Sequence, residues 1–218
     1  MKDRVRSFLV FTTLGYRIIA FVVLPVLGIW IGHVLCERLK MPGYFMTAYL
    51  LVPVEIMIDH FVFGGICMKD VTHLEYLKCS KRGEWVTQNA LLCGMMRILG
   101  TMLLVFVGNT ISMLVLYPKV SLGWEAVIAA LTLLLSSFAV ITLCASIGRF
   151  FETLSVYYIL GMVGTVLEIG YMDLVEEHLF IGLVVAAFAA VIIGYLSLQI
   201  AMKHIRESYY DKTVKDGI

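Results

Sequence analysis

The chain has 218 residues, of which 61% are hydrophobic and 15% charged, with a mean hydropathy of +0.92. Soluble domains run nearer half apolar and a quarter charged, so this composition excludes an ordinary soluble protein and belongs to a chain whose solvent is largely lipid. The formal net charge of +1 is uninformative in total; what matters is where the charges sit.

At about 20 residues per crossing, the length allows roughly six helical spans with short connections and no soluble catalytic domain. Residues 2–16 come first, with Val5, Phe8, Leu9, Thr12 and Tyr16 at helical spacing against Lys2, Arg4 and Arg6. That pattern, over residues 1–17, suits an amphipathic helix lying in the headgroups; the plainer alternative is a disordered basic leader. Six apolar segments follow, at about 18–35, 44–67, 89–116, 124–148, 154–171 and 179–202. They are continuous, whereas a β-barrel needs short alternating segments, and hydrocarbon tolerates only those two architectures because backbone amides there must be paired. The expected fold is therefore all-α, a six-span polytopic membrane bundle. The first segment is followed by no A-x-A cleavage site and is expected to stay as a span. The third, at nearly thirty residues, starts outside the bilayer or crosses it tilted.

Lys and Arg set the orientation. Residues 1–17, the connection 68–88, Arg149 and the tail from Lys203 together hold thirteen of them, while Arg38, Lys40 and Lys119 are the only three on the other side. Both termini are thus expected in the cytoplasm, with residues 203–218 as a cytoplasmic tail.

Ionisable groups within spans are functional candidates by default, because facing lipid costs several kcal/mol each. Glu55 and Asp59 lie four apart on one face of the second span, beside His60, and Pro53 interrupts the same segment. Arg97 lies in the third span. Counted from the cytoplasmic ends, Asp59 and Arg97 reach nearly equal depth, which predicts an Asp59 to Arg97 ion pair. A structural clasp between consecutive helices is the plainer role for it, a proton or substrate relay the sharper one. Glu55 finds no partner in sequence, so it is protonated or faces a wet cavity. Glu168, in the fifth span, is expected near the outer surface within reach of water. Polar residues also recur at helical spacing: Arg97, Thr101, Gly108 and Ser112; Thr132, Ser136 and Ser146; Ser155, Tyr158, Thr165 and Glu168. Such stripes mark faces turned from lipid, more commonly packing seams than paths. Gly28 and Gly32 form a GxxxG.

The five cysteines show no CxxC pairing, and neither a disulfide framework nor a metal site is indicated. G-x-S-x-G, H-E-x-x-H and G-x-x-x-x-G-K-[ST] are missing, and Glu176-Glu177 lacks the Arg that follows the paired glutamates of CAAX-type proteases. The chain carries no ATP site of its own and is not expected to be an enzyme.

The largest hydrophilic stretch is Met68 to Gln88, MKDVTHLEYLKCSKRGEWVTQ. Val71, Leu74, Tyr76 and Leu77 form an apolar strip flanked by Asp70, Glu75 and Lys78, and Ser80 to Gly83 break it. A short amphipathic helix ending in a basic turn is the natural reading. Joining two neighbouring helices needs only a handful of residues, so this loop either meets a cytoplasmic partner or rests on the membrane surface.

This layout resembles the membrane subunit of an ABC-2 type transporter of the bacterial exporter kind. The run Phe63-Gly64-Gly65-Ile66-Cys67-Met68-Lys69-Asp70 leading into Leu74-Glu75-Tyr76-Leu77-Lys78 is similar to that family's end of span two and the helix that docks on the ATPase. The resemblance implies a docking element from Asp70 to Lys78, two cytoplasmic ATPase subunits that hold the ATP and Mg, and a second membrane subunit, identical or related. It also implies a bacterial cytoplasmic membrane location and no nucleic-acid partner. The outer part between spans five and six, often built from re-entrant helices in that family, is squeezed here into residues 164–178, where Glu168, Tyr171, Asp173 and Glu176 would cap the path. An apolar lining suits a hydrophobic peptide or lipid-like cargo. The competing readings are a substrate-capturing membrane subunit of a vitamin importer and a non-transporting assembly factor.

Overall fold

A computed structural model describes residues 2–39, 43–68, 81–117 and 123–215; the expected docking element, Asp70 to Lys78, lies outside them. Every described element is helical. They are α1 (Lys2–Phe11), α2 (Leu14–Ile18), a π-helical stretch (Ile19–Val23), α3 (Leu24–Leu39), α4 (Gly43–Phe63), α5 (Lys81–Leu116), α6 (Trp124–Gly148), α7 (Leu154–Val175), a 3-10 turn (Glu176–His178) and α8 (Leu179–Lys215). Four stretches among the described residues are long and apolar enough to cross a membrane: Leu14–Arg38, Arg82–Leu116, Trp124–Gly148 and Leu154–Arg206. The last runs for 53 residues, far beyond the roughly 20 that one crossing needs, and the Glu176–His178 turn folds it back between α7 and α8.

Cross-helix contacts fix the directions. Glu55 of α4 meets Arg97 of α5, and Thr47 meets Asn109, so α4 and α5 run antiparallel. Thr165 of α7 meets Tyr49 and Gly161 abuts Pro53, so α7 also runs against α4. Along α6, Thr132 lies by Leu179 and Ser146 by Ser197, which makes α8 parallel to α6. One end of the bundle accordingly gathers α1, the last turn of α4, the start of α5, the end of α6 and the later part of α8. There Arg206 of α8 pairs with Glu84 of α5.

Helix α1 is amphipathic; Phe8 and Phe11 of its apolar side pack on protein, while Val5 stays 40% exposed. Phe8 is buried against Phe21 and Phe63, and Phe11 packs on Phe63. The chain breaks at Thr12 and Thr13, and Arg17 closes the break by donating to the Leu9 carbonyl at 2.8 Å and the Thr12 carbonyl at 3.0 Å, which the end of α1 leaves without helical donors.

The π-helical stretch has a local cause. Pro25 has no N–H to offer the carbonyl four residues back, and the Leu24 N–H reaches back five residues to Ile19 instead, widening one turn. Pro53 raises the same problem within α4, where the Tyr49 carbonyl loses its helical donor. Thr165 of α7 lies with its hydroxyl 3.4 Å from that carbonyl, while also donating to Gly161 at 3.0 Å. Close approach there is possible because Gly161 faces Pro53: a Cβ would sit 3.0 Å from the proline Cβ.

The GxxxG pair packs against α5. A Cβ on Gly28 would come 2.8 Å from Val105, one on Gly32 would overlap the Asn109 amide, and one on Gly108 would come 2.6 Å from Ile29. Gly100, by contrast, has nothing within 4 Å of a would-be Cβ. Gly32→Leu is expected to cost about 1–3 kcal/mol by overpacking, whereas Gly100→Ala is neutral or stabilises by up to about 1 kcal/mol through helix propensity. Thermal unfolding of the two variants in detergent, followed by intrinsic fluorescence, checks the contrast.

Candidate functional site: the buried polar core

The polar side chains of the bundle converge on α4, which packs against α3, α5, α6 and α7. Glu55 is fully buried and Asp59 is 5% exposed. The Arg97 guanidinium grips Glu55 end-on, Nη1 to Oε1 at 3.0 Å and Nη2 to Oε2 at 2.5 Å. Asp59 is held by Arg149 side-on, Nε to Oδ2 at 3.0 Å and Nη2 to Oδ1 at 2.6 Å. The pairing of Asp59 with Arg97 expected from depth is therefore replaced by two separate pairs, and Glu55 is neither partnerless nor facing a wet cavity. The reason is charge balance: two interior carboxylates need two cations, and Arg149, counted in sequence as a loop residue, is 3% exposed and supplies the second.

Arg149 does more than neutralise Asp59. Its Nη1 donates to Ser197 of α8 at 3.1 Å, and Ser197 shares a 2.5 Å hydrogen bond with Ser146 of α6. Its guanidinium lies 5.4 Å from the centroid of the Phe63 ring, and its carbonyl accepts the Cys67 N–H at 3.2 Å. That last bond depends on the turn after α4. Gly65 takes φ of 72°, a conformation that suits glycine, and the Ile66 and Met68 amides close back on Phe63 and Gly65. One arginine thus joins the end of α6, the last turns of α4, the segment leading to residue 69 and α8.

A third polar cluster lies toward the opposite end. Glu168 of α7 is fully buried between α6 and α7, with the hydroxyls of Ser136 and Ser137 2.7 and 3.1 Å from Oε1 and no partner on Oε2. This overturns the expected water-accessible position; the serines of α6 turn the α6–α7 seam into a polar slot that a glutamate one turn after Gly164 enters. Of the other expected outer-gate residues, Tyr171 is half-buried and donates to the Gly182 carbonyl at 2.6 Å, whereas Asp173 and Glu176 are exposed. The four do not form one cluster. Among the stripe residues, Thr101, Thr132 and Ser136 are buried, while Ser155 and Tyr158 are exposed.

Sequence reasoning missed Arg149, Ser137 and Ser197. The available signal for Arg149 was its context, directly followed by Phe150 and Phe151 and one helical turn after Ser146. Among the described residues, no group of three or more His, Cys, Asp or Glu side chains is placed to hold a metal ion. The arrangement as it stands is suited to holding helices in register. No family model, curated protein or solved structure matches the chain.

Removing one partner of a buried pair strands the other charge, so Arg97→Met is expected to destabilise by about 3–5 kcal/mol, whereas the double variant Glu55→Leu/Arg97→Met returns to within about 1 kcal/mol of the parent. A double-mutant cycle on detergent unfolding midpoints measures this. Adding Asp59→Asn to Arg97→Met is expected to give no such recovery, because Asp59 belongs to Arg149.

Proposed function

We propose that the chain is the membrane-embedded subunit of an ATP-driven ABC-2 type exporter in a bacterial cytoplasmic membrane, moving a hydrophobic or amphipathic cargo such as a peptide or lipid-like molecule. In this reading the six helical rods are six crossings with both termini inside. Arg4, Arg82, Arg149 and Arg206 lie toward one end of the bundle, and the charge bias of the loops supports taking that end as cytoplasmic. A separate ATPase supplies the chemistry of ATP hydrolysis; this chain's residues receive and transmit motion.

The observation that carries the reading is the anchoring on both sides of the hydrophilic segment 69–80. Before it, the Phe63–Met68 turn is tied through Cys67 and Phe63 to Arg149, and through Arg149 to Asp59 and Ser197. After it, α5 carries Arg97, clamped on Glu55 one turn before Asp59. In this reading a force applied at Asp70 to Lys78 passes into α4, α5, α6 and α8 through these bonds. Two such chains sit side by side. The two ion pairs of each bundle are closed within it, so in this reading the cargo path runs between the copies.

The test replaces Leu74 and Leu77 by Asp, removing the apolar strip of the docking element while leaving the bundle untouched. Purified in mild detergent, the parent chain is expected to bring down a stand-alone ATPase identified by mass spectrometry, and Leu74→Asp/Leu77→Asp to lose it by about tenfold or more at unchanged membrane yield. An ATPase retained equally by both chains, or by neither, sinks the reading.

A further inference from the structure

The two carboxylates at the cytoplasmic half of the bundle each have an arginine. Glu168 does not. Its relative exposure is 0%, it sits about ten residues before the end of the helical run that closes at His178, and among the described residues no Lys, Arg or His reaches it. The titratable groups facing it are Tyr49 of α4 and, on its own helix, Tyr171; Asp173, which also lies near Tyr49, is exposed. The stretches of α6 and α8 that pack there, residues 130–140 and 179–193, contain no titratable side chain. An uncompensated carboxylate in such a place costs several kcal/mol, which a neutral acid avoids.

Counting hydrogens leads to the same point by another route. Ser136 Oγ lies 2.8 Å from the Thr132 carbonyl, 3.2 Å from the Leu133 carbonyl and 2.7 Å from Glu168 Oε1, yet it owns a single hydrogen. The 2.8 Å contact with the Thr132 carbonyl is the back-bond to the fourth residue before that helical serines favour, and it takes that hydrogen. The 2.7 Å approach to Oε1 is then attractive only when the glutamate brings a hydrogen of its own and Ser136 accepts it. Ser137, at 3.1 Å, is left to donate to Oε1. Oε2 then stays as a bare acceptor, which costs less in a buried site than half of an ionised carboxylate.

We infer that Glu168, Ser136 and Ser137 form a proton-binding site within the bundle, occupied at neutral pH while α6 and α7 are packed together. Release of the proton converts the acid to carboxylate and requires water to enter that seam, so occupancy reports whether the two helices are closed. The inference stands whether or not the chain is a transporter.

Infrared spectroscopy of the full chain in lipid nanodiscs at pH 7 tests it directly. The difference between the parent and Glu168→Gln is expected to show complete loss of a carboxylic-acid C=O band at the high frequency of a carbonyl without a donor, and Ser136→Ala is expected to shift that band by removing the acceptor of the acid's O–H. Glu168→Gln keeps the shape of the neutral acid and is expected to unfold at the parent's temperature. Should it fail to fold, glutamate labelled with carbon-13 in the parent chain is expected to move the same band. Loss of carboxylate bands alone, or absence of any glutamic-acid band in the labelled parent, overturns the inference. A band abolished by adding sodium at constant pH would overturn it as well, by assigning the site to a metal cation.

Discussion

The bond between Arg149 and Asp59 is the point at which most of the bundle meets. In an apolar interior neither ion is tolerable alone, so the pair must form, and forming it brings the end of α6 against α4. The remaining donors of the guanidinium then have to be satisfied, and Ser197 brings in α8. Even the backbone is recruited, since the Arg149 carbonyl accepts from Cys67 only when the Gly65 turn brings that amide round. Hydrophobic burial cannot impose such an order among helices that are all apolar and all equally content in lipid. Directional bonds can.

The two ion pairs and the Glu168 cluster divide the work differently. Glu55 and Asp59 are one turn apart on α4 yet bind cations from different helices, so a rotation of α4 that loosened one would strain the other. The pairs therefore fix α4 both along its axis and about it. Glu168 hydrogen-bonds across helices only to α6, through two hydroxyls, and its connection is correspondingly easier to break. The half that holds α1 and the end of α6 is locked by charge and the opposite half by neutral hydrogen bonds, which assigns stiffness to one end of the bundle and compliance to the other.

Much of this was legible in the sequence, for physical reasons specific to each part. The all-helical architecture followed from lipid's demand for internally paired amides, and the importance of Glu55, Asp59 and Arg97 from the cost of charge in hydrocarbon. The pairing was not legible, because depth along two helices says nothing about which neighbour's face a side chain meets, and because Arg149, at a helix end, has the sequence position of a solvated loop residue. The burial of Glu168 escaped for a related reason: its distance from the segment end suggested water, while the serines that close over it come from a helix thirty residues earlier. The amphipathic pattern of residues 2–16 was plain, but whether Phe8 meets lipid or protein depends on Phe21 and Phe63, which no local pattern brings near. Proline at 25 and 53 announced two backbone irregularities without showing what would compensate each.

At Pro53 the compensation comes from another helix. The Tyr49 carbonyl, deprived of its usual donor, has the Thr165 hydroxyl within 3.4 Å. The firmer tie is steric: only the bare Gly161 lets α7 come this close to Pro53, and sliding α7 by about one turn would bring Tyr157 or Thr165 against the proline, so the two helices travel together as a single plank in any rearrangement of the bundle. Whatever hinge the molecule uses must lie elsewhere, at the edges of this plank.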